Sequence, residues 1–162
     1  TVSVNMGKPK FEWNEIPLTK DIDPVDINFS IRDLTLKKPF LVNIGNPHII
    51  FFDDEIEKYD VESFGSLIEN DSLFPEKINV SFAKLKSDNH IVLNVWERGA
   101  GKTNACGTAA CATAVAGVEM GLIKNKVTVT LPGGDLEIYY KSSDNIIMTG
   151  PTEINFTDKY KL

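Results

Sequence analysis

A cysteine lies where the sequence predicts the start of a helix. Cys106 precedes Gly107 and Thr108, which open a segment rich in alanine, threonine, glycine and valine. Unpaired N–H groups and the helix dipole at such a start favour negative charge, so we expect them to lower the pKa of the Cys106 thiol. The same N–H groups, with Gly107 allowing close approach, could hold a substrate carboxylate. Cys106 is therefore a candidate for proton transfer, although free cysteines are often simply core residues.

The second cysteine is interpreted as structural. Cys111 lies four residues after Cys106, inside the predicted helix. Two cysteines on one helical face rarely satisfy disulfide geometry without distortion, so both are expected to be free thiols. Adding His48 and His90 does not create a zinc site, because the close cysteine or histidine pairs of structural zinc sites are missing. No metal is expected.

Four charged or polar residues in or beside the predicted strands are further candidates. Glu97 and Arg98 end an alternating segment just before Cys106. Consecutive strand positions face opposite sides, so these two are expected to have separate roles unless both are simply solvated. His48 is a candidate for proton transfer or for setting a neighbouring pKa, although a lone histidine is more often structural. Asn79 interrupts a β-rich segment, either as a ligand contact or as an outward-facing residue.

The chain carries only part of a phosphate-binding loop. Gly101, Lys102 and Thr103 match the end of that motif, but it also requires a glycine five positions before the second glycine, where this chain has Trp96. The formal net charge of -6 disfavours nucleic-acid binding, which relies on a clustered surplus of lysine and arginine. We expect a small-molecule substrate and no nucleic acid.

Size and composition indicate one globular domain. The chain has 162 residues, of which 42% are hydrophobic and 25% charged, near the average for such domains. There is no apolar run of bilayer length and no basic segment leading into an apolar one near the N-terminus, so we expect a cytoplasmic protein without a membrane partner. Because the chain begins at Thr1 and residues 2–4 already resemble a strand, we expect a piece of a longer polypeptide.

Hydrophobic periodicity predicts two helices and a series of strands. Helices are expected over 60–69, capped by Asp60, and over 107–120, ending at Gly121. The second helix carries small residues on every side, which favours a helix enclosed by a sheet. The predicted fold is α+β, a curved and mostly antiparallel sheet or barrel wrapped around one central helix. Strands are expected at 2–4, 27–36, 39–44, 49–52, 77–86, 90–97, 126–131, 135–140 and 145–149.

Six short motifs resemble the second half of diaminopimelate epimerases. They are 45–48 (GNPH), 74–80 (FPEKINV), 96–101 (WERGAG), 105–108 (ACGT), 131–134 (LPGG) and 148–151 (MTGP). Their order and spacing match over nearly the whole chain, and WERGAG and LPGG separate it from the related proline racemases. The resemblance implies that residues 1–162 form the second (C-terminal) domain of a two-domain enzyme, with a final strand that returns to the missing first domain.

The resemblance also implies a reaction. Diaminopimelate epimerases invert the α-carbon of LL-diaminopimelate to the meso form without a cofactor, on the route to lysine and peptidoglycan. Two cysteines face the α-carbon from opposite sides, one removing a proton as thiolate and the other delivering one as thiol. Cys106 matches the second cysteine, and Glu97 matches the acid that tunes it. His48 matches the residue that tunes the first cysteine across the domain interface.

Substrate contacts carry over by the same resemblance. Arg98 is expected to form a carboxylate fork toward the distal end of the substrate, and the start of the helix is expected to hold a carboxylate. Lys102 stands where the family is usually acidic, and Ala109 where it usually has glycine. The matching substrate-binding positions are Asn46, Asn79, Glu97, Arg98, Gly107 and Thr108.

The family's first cysteine and the asparagine-glycine motif after it are absent from this sequence. The isolated chain is therefore expected to be inactive, with the missing N-terminal domain as its partner and a homodimer as an open possibility. Two other function classes stay open. A standalone binding domain, or a related racemase or isomerase, would keep Gly107 and Thr108 as an anion site without requiring Glu97 beside Cys106.

Overall fold

Two α-helices and eleven strands form the regular structure of residues 1–153 and 157, the part of the chain that the computed structural model describes. The helices are α1 (Val61–Glu69) and α2 (Gly107–Glu119), and neither is long and apolar enough to cross a membrane. Two short 3-10 turns occupy Pro24–Asp26 and Ile56–Lys58. The strands are β1 (Val2–Asn5), β2 (Asn28–Ile31), β3 (Leu34–Lys37), β4 (Phe40–Asn43), β5 (Pro47–Phe52), β6 (Asn79–Ser87), β7 (His90–Glu97), β8 (Gly101–Thr103), β9 (Lys126–Leu131), β10 (Gly134–Tyr139) and β11 (Ile147–Gly150).

Nine of these strands form one open, curved sheet. The order is β1-β11-β10-β9-β7-β6-β5-β4, with β8 paired to the C-terminal end of β7. Strands β2 and β3 form a separate hairpin. All pairings among the described residues are antiparallel except β5–β6 and β7–β9, which are parallel. The α+β class and the mostly antiparallel sheet are confirmed. Of the two predicted forms, the structure has the open sheet, because β1 and β4 remain as edges.

Helix α2 packs into the concave core of the sheet. Every residue from 109 to 117 is buried, and all but Val115 are Ala, Gly, Cys or Thr. Short side chains allow the backbone of the helix to approach the sheet closely, while longer strand residues fill the remaining space. Those strand residues include Val42, Ile50, Leu93, Val129 and Ile138. The prediction of a buried helix of small residues is confirmed.

A second core covers the opposite face of the sheet. Helix α1 begins at its predicted cap, where the side chain of Asp60 accepts from the Ser63 N–H at 3.1 Å. Its buried Phe64 and Ile68 pack with Phe29 of the hairpin and with sheet residues such as Phe51 and Phe82. Strands β4 to β6 are therefore covered on both faces. The predicted sheet around one central helix is present, and the predicted helix α1 together with the β2–β3 hairpin covers its other face.

Three strand predictions need correction. The expected single strand over 27–36 is a hairpin, since Arg32 turns the chain with φ 53° and Ile31 pairs with Leu34. Strand β6 begins two residues later than expected because Lys77 has φ 61°. Strand β8 lies in a stretch that the sequence predicted as a loop. A final strand that returns to a first domain stays a prediction, because residues 154–156 and 158–162 lie outside the described part of the chain.

Gly65 sets the distance between α1 and the sheet. A Cβ atom built at Gly65 would overlap the side chain of Trp96 near the end of β7. Glycine therefore allows the helix to lie directly on the indole ring. Trp96 immediately precedes Glu97 and Arg98, two of the predicted site residues.

Replacing Gly65 with alanine is expected to lower the free energy of unfolding by about 1–3 kcal/mol, the usual cost of overpacking a core. The gain in helix propensity, about 1 kcal/mol, offsets only part of that cost. Urea unfolding measures the difference. Ser66→Ala, at an exposed position of the same helix, is the control and should change the value by less than about 0.5 kcal/mol. A Gly65→Ala chain as stable as the parent would contradict the close packing.

Candidate active site

Three adjacent strands bring the predicted site residues to one end of the sheet. Strands β5 and β6 are parallel and place His48 beside Asn79, the first residue of β6. Strand β7 runs the opposite way, so its end lies at their start, with Trp96 opposite Val80. Glu97 is therefore near Asn79 and His48 although they are far apart in sequence. The N-terminus of α2 points to the same end.

Cys106 occupies the N-cap position of α2, as predicted. Its backbone is extended, with φ -148° and ψ 103°, and its carbonyl accepts from the Ala110 N–H at 3.1 Å. The residue is 6% exposed, and its Sγ lies 3.5 Å from Thr108 Oγ1. Gly107 follows as the first helical residue, where a Cβ would come within 3.0 Å of Met148 Sδ. The absence of a side chain at Gly107 therefore keeps β11 close to the thiol.

The expected lowering of the Cys106 pKa is wrong for this chain. Burial raises the pKa of the thiol above its usual value, and the nearby Glu97 carboxylate raises it further. Hydrogen bonds from the Thr108 hydroxyl and the Ala109 N–H act in the opposite direction but do not balance the loss of solvation. Cys106 is accordingly a neutral thiol at neutral pH, which is the proton-donating form.

A chain of hydrogen bonds leads from a buried histidine to this thiol. The amide of Asn46 accepts through Oδ1 from His48 Nε2 at 2.9 Å and donates through Nδ2 to Thr108 Oγ1 at 3.3 Å. The Thr108 hydroxyl is then free to donate to Cys106 Sγ. Each donor points toward the sulfur, so the chain favours negative charge there. Asn46, His48, Cys106 and Thr108 thus form one connected group.

His48 is held neutral inside the protein. It is 0% exposed, and burial, together with the nearby Arg98 guanidinium, lowers its pKa to about 3. Its Nδ1 has no hydrogen-bond partner within residues 1–153 and 157. The hydrogen bond to Asn46, which is half-buried, links the ring to the open side of the site. A role in tuning a cysteine of another domain stays a prediction.

Asn79 holds the backbone of Arg98. The Asn79 side chain is 3% exposed, donates to the Pro47 carbonyl at 2.9 Å and accepts from the Arg98 N–H at 2.9 Å. The alternative of an outward-facing asparagine is therefore wrong, because this residue joins the ends of β5, β6 and β7. The Arg98 guanidinium donates from Nη1 to the Glu76 carbonyl at 3.1 Å and remains largely open.

Glu97 faces the thiol and not its neighbour Arg98. The Thr103 hydroxyl donates to Glu97 Oε1 at 2.5 Å, and the carboxylate is close enough to raise the pKa of Cys106. No ion pair links Glu97 to Arg98 in the part of the chain that the structure describes. Separate roles for these two residues agree with the alternation of a strand.

Sequence reasoning missed two residues that hold the site, Thr103 and Glu69. Thr103 lies in β8, which pairs back onto β7 and places its hydroxyl against Glu97. Glu69 ends α1 and contacts Trp96 and Gly99 on either side of the Glu97–Arg98 pair. Glu69 could have been found from the sequence, because it lies next to the apolar Ile68 on the side of the predicted helix that faces the core. No signal existed for Thr103, because its short strand looks like a loop.

The thiol opens onto a shallow depression and not an enclosed cavity. A depression of about 180 Å³ beside Cys106 and Gly107 is bordered by Gly133, Gly134 and Pro151. A larger depression, about 550 Å³, lies elsewhere, between the N-terminal segment around Phe11 and Trp13 and residue Glu119. Within the described residues, no group of histidine, cysteine, aspartate and glutamate is arranged to hold a metal ion.

Residues 40–155 match the family model described as diaminopimelate epimerase. The chain belongs to the diaminopimelate epimerase family. A diaminopimelate epimerase of Erythrobacter litoralis is 48% identical over 153 residues, which cover 94% of this chain and 56% of that protein. The corresponding protein of Methylocella silvestris is 47% identical over 159 residues, covering 95% of this chain and 55% of the relative.

This member of the diaminopimelate epimerase family spans little more than half the length of those relatives. Among solved structures, a phenazine biosynthesis protein of the PhzF family from Enterococcus faecalis aligns with 60% of this chain at 18% identity. Its TM-score of 0.46 is too low to bear on fold or function.

Alkylation should separate the two cysteines of this epimerase-family chain. Cys106 is expected to react with iodoacetamide faster than Cys111, because Cys111 is 0% exposed and burial raises its pKa to about 12. The rate at Cys106 should still rise with pH above about 9, since its pKa is raised. Glu97→Gln should speed the labelling at fixed pH by removing a negative charge. Peptide mapping measures both rates; equal labelling, or a plateau near neutral pH, would contradict the prediction.

Burial of His48 predicts a pH-dependent stability. Its pKa is about 3 in the folded chain against 6.5 as the reference value, so the unfolded chain binds one more proton between these values. The His48 contribution is fully present above about pH 6.5 and is lost as pH falls toward about 3, by up to about 1.4 kcal/mol per pH unit.

The measurement is urea unfolding of the parent and of His48→Gln between about pH 7 and pH 4. The stability difference between them should shrink as pH falls, because only the parent loses this contribution. His90→Gln, which replaces the half-buried second histidine, controls for the loss of an imidazole as such. A constant difference between parent and His48→Gln would show that the ring is not held neutral.

Proposed function

We propose that this chain supplies one half of a diaminopimelate epimerase active site. The function is inversion of the α-carbon of diaminopimelate by a thiol and a thiolate that work from opposite sides. Cys106 is the cysteine of this half. The observation that carries the proposal is the hydrogen-bonded group at the start of α2, which joins Cys106 to Thr108, Asn46 and His48 with Glu97 alongside.

Each residue has a distinct part in the proposed reaction. The neutral thiol of Cys106 donates a proton to the α-carbon in one direction, and its thiolate removes a proton in the reverse direction. The chain of donors through Asn46 and Thr108 stabilises the thiolate after the transfer. Glu97 raises the pKa of the thiol, which favours the donor form, and its own contact with Thr103 fixes its position.

The substrate is proposed to lie between two anchors. At the reacting end, the backbone N–H groups of Gly107 and Thr108 at the start of α2 hold the α-carboxylate. At the distal end, the guanidinium of Arg98 binds the second carboxylate through charge-assisted hydrogen bonds. Asn46 and Asn79 fix the two anchors relative to each other, because one contacts Thr108 and the other the Arg98 backbone. No cofactor is invoked, since both protons move through sulfur.

A second acid or base must come from outside the described residues. Cys111 is not suitable, because it is 0% exposed and lies one turn further along the same helix as Cys106. Inversion requires proton transfer on opposite faces of the carbon, and one helix start presents one face. The open depression beside Cys106 and the greater length of the relatives support a first domain that closes the site. We therefore infer that the isolated chain does not turn over diaminopimelate.

The test uses the completed enzyme, which we define as this chain fused behind the part of the Erythrobacter litoralis relative that it does not cover. The completed enzyme should incorporate deuterium at the α-carbon of diaminopimelate, and the chain alone should not. Cys106→Ala should lower the rate by about a factor of 100 to 10,000, the usual contribution of a general acid–base group. Arg98→Ala should mainly raise KM, through loss of about 1.5–3 kcal/mol of binding.

Cys111→Ala is the matched control, because it removes a thiol from the same helix without touching the site. Its rate should stay within about threefold of the parent. Cooperative unfolding of the completed enzyme shows that the two domains have joined. A completed enzyme that unfolds as one unit without exchanging deuterium would contradict the proposal, as would turnover by the 162-residue chain alone.

A further inference from the structure

One buried carboxylate holds the chain on both sides of the Glu97–Arg98 pair. Glu69, the last residue of α1, is 5% exposed. Its Oε2 accepts from Trp96 Nε1 at 2.7 Å, and its Oε1 accepts from the Gly99 N–H at 2.8 Å. The two oxygens therefore bind the residue before the pair and the residue after it.

The surroundings of Glu69 allow little alternative geometry. The indole of Trp96 packs against α1 at Gly65, and its far edge lies 3.6 Å from a Cβ built at Gly101. The ammonium of Lys77 comes within 3.8 Å of Glu69 Oε1 from the solvent side. Although burial acts to raise the pKa of Glu69, hydrogen bonds from Trp96 and Gly99 and the charge of Lys77 lower it on balance. The carboxylate thus remains ionised at neutral pH.

A buried carboxylate constrains the chain more strongly than a neutral group would. Removing an N–H donor from an ionised, nearly dry carboxylate is costly, so conformations that break either contact are disfavoured. Arg98 lies between the two held positions, and its N–H and Nη1 are bound to Asn79 and to the Glu76 carbonyl. Glu69 therefore fixes the backbone on either side of Arg98, while Asn79 and the Glu76 carbonyl hold Arg98 itself.

We propose that Glu69 is a positioning residue that aims Arg98 at the distal carboxylate of the substrate. This inference rests on the proposed function, because it assigns Glu69 to the substrate contacts of that site. Glu69 touches neither the substrate nor the reacting atoms. It acts through the bonds to Trp96 and Gly99.

The first experiment measures kcat and KM of the completed enzyme with Glu69→Gln. Glutamine keeps the volume but turns an N–H₂ group toward one of the two N–H donors, so one contact is lost. KM is expected to rise about tenfold while kcat changes by less than about threefold, because Arg98 is displaced from the distal carboxylate more than Cys106 is displaced from the α-carbon. Glu62→Gln, exposed on the same helix, is the matched control and should change neither constant.

If Glu69→Gln lowers the thermal stability of the completed enzyme but leaves KM unchanged, the proposal is overturned, because the carboxylate would then have a purely structural role. If Glu69→Gln does not fold, Trp96→Phe decides, since it removes a single donor and keeps an aromatic ring. Its KM should also rise, and an unchanged KM would overturn the proposal in the same way.

A second measurement separates this inference from the proposed function. In the 162-residue chain, ¹H–¹⁵N spectra should show shifts of the Gly99 amide and the Arg98 Nε–H on Glu69→Gln, but not on Glu62→Gln. This result does not depend on turnover. An inactive completed enzyme with these shifts would refute the function and keep the positioning role. An active enzyme whose Arg98 signal does not respond would refute the positioning role and keep the function.

Discussion

The close packing of α2 against the sheet is the constraint on which the site depends. Small residues from Ala109 to Gly117 let the helix lie deep in the sheet, and this depth brings its first turn level with the ends of β5, β6 and β7. Asn46 then reaches Thr108 across 62 residues of sequence. Longer side chains on α2 would move the helix outward and separate Cys106 from every group that acts on it.

Burial also decides the charges at the site. It raises the pKa of Cys106 and lowers that of His48, so both groups are neutral near pH 7 although one is an acid and the other a base. The Ala109 N–H at the helix start lowers the pKa of Cys106, but burial raises it by more. Under the proposed function, a carboxylate substrate and a first domain would change this balance by filling the open side. The neutral thiol is the form that the proposed reaction needs as proton donor, and the Thr108 hydroxyl is in place to stabilise its thiolate.

Periodicity and motifs in the sequence predicted most of the fold and named most of the residues that meet at one end of the sheet. The helix of small residues, the Asp60 cap and the strand end that carries Glu97 follow from local patterns. The turn at Arg32 and the short strand β8 did not, because neither has a distinctive residue type. The pKa of Cys106 was predicted in the wrong direction, since it depends on enclosure by distant residues. The helical pattern could have placed Glu69 on the buried side of its helix, but not its two donors, which come from β7 and the loop after it.

In the proposed reaction, the geometry of a single such domain explains why inversion would need two. A helix start directs its N–H groups and its N-cap side chain along one axis, so it can act on one face of a carbon. Cys111 shows the limit of adding a second thiol to the same helix, because one turn of helix takes it into the core. An opposed acid and base therefore call for two helix starts that face each other. A domain that keeps its own helix start open at the end of the sheet can supply one of them.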